Sequence, residues 1–121
     1  MPRQYRTLAI KRTDDVFCVR LKHAHLQEPE VHDLAEELVD LIDQEKCRKL
    51  VLSLGPEPPN LIYSVFVGKL LMVRRRLQEQ GGALKLCGAS PAVASVFDAL
   101  RLTQYFDFYP DETAAVAAFA A

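Results

Sequence analysis

The sequence predicts an α/β domain: a mostly parallel sheet with covering helices and an N-terminal hairpin at its edge. Three observations carry this prediction. Short apolar runs of strand length, such as residues 50–54, alternate with longer segments whose apolar residues recur at spacings of three and four. The first two runs, residues 8–10 and 16–21, are separated by little more than the turn signal Thr13-Asp14-Asp15. After that hairpin, strands and helices alternate, and strands joined through helices run parallel. The predicted order is β-β-α-β-α-β-α-β-α over residues 1–121, a single domain with no internal repeat, low-complexity segment or linker.

Each element has a local reason. Val16-Phe17-Cys18-Val19-Arg20-Leu21 alternates as the second arm of a hairpin does. Pro29 stands near a helix start, and Val31, Leu34, Ala35, Leu38, Leu41 and Ile42 form one apolar face of the helix that follows. Its other face carries Asp33, Glu36, Glu37, Asp40 and Asp43, whose mutual repulsion costs a few tenths of a kcal/mol per pair. The apolar face must therefore hold this helix in place. Residues 50–54 read as a buried strand, and residues 55–61 as a loop stiffened by Pro56, Pro58 and Pro59. A long helix then places Ile62, Phe66, Leu70, Val73 and Leu77 on one side and stops at Gly81-Gly82. Residues 83–87 are the next strand. Ser90-Pro91 is an N-cap followed by proline at the first helical position, with Val93, Val96, Phe97 and Leu100 facing inward. Residues 105–109 form a last strand, broken by Pro110. Asp111 caps an Ala-rich helix over residues 112–121 that docks through Val116 and Phe119.

Bulk properties narrow the function. Half the residues are hydrophobic and about a quarter charged, with a formal net charge of −1, so no global field favours nucleic acid or an anionic membrane. No apolar run reaches the length of a spanning helix. The N-terminal residues lack the apolar segment of a signal peptide. Cys18, Cys47 and Cys87 are widely spaced, odd in number and set in apolar sequence, which points to reduced thiols in a cytoplasmic protein.

Function is expected at residues 55–67. A loop at the carboxyl end of a parallel strand, opening onto a helix, is where open α/β sheets place their sites. Leu61, Tyr63, Val65 and Phe66, beside the prolines, are more apolar than one buried stripe requires, as a contact surface would be. Asn60 is a candidate N-cap for the long helix. Gly68 inside that helix costs about 1 kcal/mol against alanine, and close packing of helix on sheet is the reading favoured for it. The basic group Lys69, Arg74, Arg75 and Arg76 reads as a solvated face suited to a helix C-terminus. His23 and His25 form an H-x-H pair, with His32 or Glu28 as a conceivable third ligand, but no local Cys or Asp completes a site, and no metal or cofactor is assigned.

The run Gly82-Ala83-Leu84-Lys85-Leu86-Cys87-Gly88-Ala89-Ser90-Pro91-Ala92-Val93, followed by Val96-Phe97 and Leu100-Arg101-Leu102, resembles the C-terminal half of a STAS domain. That is the domain of bacterial anti-sigma factor antagonists and of the cytoplasmic tails of sulfate transporters. Residues 49–54 and the Arg74-Arg75-Arg76-Leu77…Gly81-Gly82 helix end fit the same pattern, so the resemblance spans nearly the whole chain. It implies a phosphorylatable hydroxyl at the N-terminus of the second helix, in an Asp-Ser-Ser/Thr-Gly-type segment, modified by a kinase that is itself an anti-sigma factor. Aligned on Gly68, the two hydroxyl positions fall on Tyr63 and Ser64 and the acidic position on Ile62. Ser53 stands where the family often has aspartate, and the loop is about two residues longer than usual.

The resemblance therefore implies a non-enzymatic interaction domain in bacterial signalling and transcription regulation. It would bind an anti-sigma factor or kinase of the ATPase type through Pro58, Asn60, Leu61, Tyr63, Ser64, Phe66 and Val67, with Ser64 as candidate phosphoacceptor. A constitutive scaffold without phosphorylation, binding a partner or a second copy as a homodimer, is the alternative. A small-ligand binder at the strand-end crevice is another. Against an enzyme, the chain has no G-x-x-x-x-G-K-[ST], G-x-G-x-x-G or G-x-S-x-G motif, and no catalytic residue is assigned.

Overall fold

The computed structural model describes residues 7–22, 28–54 and 63–120. Strand β1 (Leu8–Thr13) turns through Asp14-Asp15 into β2 (Val16–Leu21), and the two pair antiparallel from Leu8↔Leu21 to Thr13↔Val16. Asp14 takes a φ of 57°, the left-handed conformation that tight hairpin turns demand and aspartate tolerates. Then follow helix α1 (Glu28–Asp43), β3 (Lys49–Ser53), α2 (Tyr63–Glu79), β4 (Ala83–Cys87), α3 (Pro91–Ala99), a 3-10 turn (Thr103–Tyr105), β5 (Asp107–Tyr109) and α4 (Glu112–Ala120). Strands β2 to β5 are parallel, and their order across the sheet is their order in the chain.

That sequential order decides where the helices lie. Parallel crossovers are right-handed, so successive crossovers stepping the same way across a sheet put their helices on one face. Helices α1, α2 and α3 accordingly share a core with Phe17 and Val19 of β2, Leu50 and Leu52 of β3, and Leu84 and Leu86 of β4. We call this the front face. Among the described helices only α4, which follows β5, reaches the back face, where Ala115, Val116 and Phe119 pack with Val16, Cys18, Val51 and Cys87. Strand β3 is buried on both faces, so Leu50, Val51 and Leu52 are all fully enclosed, as the unbroken apolar run requires.

The helix ends form as their residues dictate. Ser90 Oγ accepts from the backbone N of Val93 at 3.2 Å, and Pro91 opens α3. Asp111 Oδ1 accepts from the backbone N of Ala114 at 2.8 Å and caps α4. Beyond α2, Gly81 has a φ of 80°, and the backbone N of Gly82 bonds back to Leu77 O at 2.8 Å while Gly81 N bonds Gln78 O at 3.0 Å. The same pattern closes α3 with Arg101 at a φ of 58°, Leu102 N donating to Phe97 O at 2.9 Å.

Several expectations are corrected. Strand β1 extends to Thr13, because pairing with β2 continues through the edge residues Lys11 and Arg12. The last strand shortens to Asp107–Tyr109, because Thr103–Tyr105 winds into a 3-10 turn that lets Phe106 reach the core. There Phe97 meets Phe106 and Phe108 edge-on, at centroid distances of 5.3 and 5.2 Å. Leu100, expected inward, is 48% exposed, because α3 ends at Ala99 and the chain turns away at the cap. Gly68 does not pack on the sheet. It lies on the exposed side of α2, and a Cβ built there would meet nothing within 4 Å. The glycine in close approach is Gly82, whose Cβ would collide with the Arg48 carbonyl.

Candidate partner-docking site

The site begins where β3 ends. Leu54 continues the front core and its backbone N donates to Cys87 O at 2.8 Å, tying the strand end to β4. Ser53 alternates to the opposite face. It stands in register with Cys87, and its hydroxyl bonds that buried thiol on the α4 side of the sheet. The serine in place of the family's frequent aspartate is thus directed away from α2.

Residues 55–62, with Pro58, Asn60, Leu61 and Ile62, lie outside the described residues, as do the side chains of Tyr63 and Ser64. The backbone of α2 starts at Tyr63, which puts Ser64 in the first turn, and that turn contains no acidic residue. Phe66 and Val67 are 1% and 2% exposed. Their expected place in a contact surface is corrected. With Leu70, Val73 and Leu77 they complete the stripe that seats α2 on the sheet, each worth on the order of 2 kcal/mol of burial.

What α2 presents outward is a different set. At about 100° per residue, Gly68, Met72, Arg75 and Glu79 lie opposite the Phe66–Leu77 stripe, and all four are exposed. Met72 is 42% exposed, a large flexible apolar side chain one turn beyond a bare stretch of backbone at Gly68. Sequence reasoning passed over Met72. The signal was present, because a residue so far from the core stripe on the helical wheel has no interior to enter.

The charged groups near α2 divide by use. Arg76 Nε donates to Asp43 Oδ1 at 3.2 Å, and its Nη2 to Oδ2, bridging α2 to α1. That pairing raises the affinity of the Arg76 guanidinium for its proton. Arg74 sits over the Tyr105 ring at 5.6 Å. The basic cluster is therefore partly a set of struts, with Arg75 left on the outward stripe. The acidic face of α1 is also partly engaged, since Glu37 and Asp43 both accept hydrogen bonds from other elements.

His23 and His25 lie outside the described residues; among the described ones no group of three His, Cys, Asp or Glu side chains gathers as a metal site. Among the same residues no helix is long and apolar enough to cross a membrane. Cys18, Cys47 and Cys87 are free and buried. Burial pushes the Cys47 thiol up to about 12.

A sequentially ordered sheet with three helices on one face and one on the other defines a small α/β domain. The model of the STAS domain family matches residues 7–115, and the chain belongs to that family. Comparison with curated protein sequences returns no match. Among solved structures, a protein described as an anti-sigma factor antagonist from Thermotoga maritima is similar, with 19% identity, 94% of this chain and 95% of that one covered, and a TM-score of 0.80. An anti-sigma factor antagonist (STAS) domain protein from Planctomyces limnophilus gives 20%, 94%, 98% and 0.81. The phosphorylated form of the Bacillus cell fate determinant SpoIIAA gives 20%, 92%, 98% and 0.68. At these identities the likeness is one of fold.

Proposed function

We propose that this protein is an interaction domain of the anti-sigma factor antagonist type, binding a kinase-type anti-sigma partner through residues 55–64 and the outward stripe of α2. The observation that carries the reading is the family match across residues 7–115 with α2 beginning at Tyr63. A helix start puts free backbone N–H groups at the site and tolerates the negative charge of a phosphate there. Similarity to a structure described as the phosphorylated form of the Bacillus cell fate determinant SpoIIAA supports a phosphorylation switch on this fold.

The residues of this chain shift the weight from phosphorylation to binding. Ile62 and Tyr63 stand where an acidic residue and a hydroxyl acceptor are expected, leaving Ser64 as the candidate acceptor without an acidic neighbour. A constitutive scaffold, engaging its partner or a second copy without modification, is the second reading, and Ile62-Tyr63 favours it.

Incubation with ATP and the kinase encoded nearest the gene, followed by intact-mass measurement, separates the two. A gain of one phosphate that disappears in Ser64→Ala supports the switch. Binding without a mass change supports the scaffold. If neither Tyr63→Glu nor Met72→Glu weakens binding to that partner, the docking surface is wrong.

A further inference from the structure

The back face of the sheet is covered in a manner unlike the front. On the front, α1 buries Val31, Leu34, Leu38, Leu41 and Ile42, and α2 a comparable set. On the back, Ala115 is the one fully buried residue of α4 among the described side chains, with Val116 and Phe119 half-buried beside it. Its two ends are held by charge. Glu112 Oε1 lies 3.6 Å from Lys11 Nζ and Glu112 Oε2 3.8 Å from Arg20 Nε, and both cations are well exposed. At the other end Lys85 Nζ stands 4.9 Å from the Phe119 ring centroid while bonding Asp107 and Tyr109. The link from β5 to α4 is Pro110-Asp111, and no strand pairing of the sheet depends on α4.

Beneath this helix lie two of the three thiols. Cys18 on β2 and Cys87 on β4 are 2% and 0% exposed, flanking Val51 on the same face. Burial, and then the Glu112 carboxylate, push both thiols up, so under the helix they are protonated and unreactive. Cys47 is equally buried but belongs to the front core. The molecule thus carries two thiols on one side of its sheet and one on the other.

We propose that α4 is a releasable cover: it opens while the front core stays folded, and in doing so it delivers Cys18 and Cys87 together to thiol-reactive compounds. Local opening of this kind is drawn from the elements with the fewest large buried side chains. Salt promotes it, because Glu112 is held by the exposed cations Lys11 and Arg20.

The test is timed labelling of the native protein with N-ethylmaleimide, quantified at each cysteine by peptide mass spectrometry. Cys18 and Cys87 label at matched rates, faster than Cys47. Glu112→Gln, and separately 0.5 M salt (about a 4 Å screening length), raise those two rates by about fivefold, the scale of losing exposed ion pairs, and leave Cys47 unchanged. Phe119→Leu, which removes the ring from Lys85, gives the same pattern from the other end, so a folding defect in one variant does not decide the outcome. One common rate for all three cysteines, tracking global unfolding, overturns the proposal. So do Cys18 and Cys87 rates that neither substitution raises.

Discussion

The carboxylate of Glu37 receives both donors of Thr7: the backbone N at 2.9 Å and Oγ1 at 2.6 Å, each on Oε1. Thr7 is the one buried polar side chain among the described residues, and the contact spans thirty positions of sequence. It fixes the start of β1 to the polar flank of α1. Glu37→Ala leaves a buried N–H and hydroxyl without that acceptor, and a charged acceptor contributes about 1.5–3 kcal/mol. Urea denaturation is expected to show a loss in that range, whereas Glu36→Ala on the exposed side of the same helix falls within about 0.5 kcal/mol of the parent.

Gly82 and Gly81 separate two reasons for glycine. At Gly82 a Cβ would stand 2.2 Å from the backbone oxygen of Arg48, which cannot move without disturbing the start of β3. At Gly81 there is open space, and only the positive φ opposes a side chain. Gly82→Ala should therefore cost well over 2 kcal/mol, and Gly81→Ala about 1 kcal/mol. Equal losses in chemical denaturation would contradict this assignment.

Gly68→Ala is expected to stabilise the isolated protein by about 1 kcal/mol, since the position is helical, exposed and unobstructed. If the partner lies close along the outward stripe of α2, the same methyl weakens binding. Thermal unfolding and titration calorimetry on one variant read the two effects independently.

The buried Cys47 thiol makes stability depend on alkaline pH. Its folded value, near 12, lies above the ordinary value of 9.0, so the folded state keeps its proton where the unfolded chain releases it. The contribution is fully present below about pH 9 and is lost as pH rises from there toward 12, at no more than about 1.4 kcal/mol per unit from this group. Comparing Cys47→Ala with the parent at pH 8 and pH 10.5 isolates it: the parent loses more stability over that interval.

Arg76→Ala removes the bridge to Asp43 between α1 and α2. Both partners are substantially exposed, so the loss should be small and shrink in high salt. A larger, salt-independent loss would mean that the aliphatic stem of Arg76 packs, and that the charge contributes little.

The sequence by itself determined the element order and the family, because both rest on local signals. Alternation in Val16–Leu21, the Ser90-Pro91 start and the Gly81-Gly82 stop are properties of neighbouring residues and need no distant partner. The site was legible as a place, at the junction of β3 with α2, but its exposed residues were not. Phe66 read both as a member of the core stripe and as part of an apolar patch, and docking of α2 on the sheet decides for the stripe, burying Phe66 and Val67 while Gly68 and Met72 face out. The direction of Ser53 was hidden likewise, since a strand doubly buried through Leu50–Leu52 does not announce which face each residue takes. The two-sided character of the domain is also a tertiary fact. Pairing order and crossover handedness together place α1, α2 and α3 on one face, leaving α4, with its alanines, Phe119 and Glu112, to cover Cys18 and Cys87 on the other.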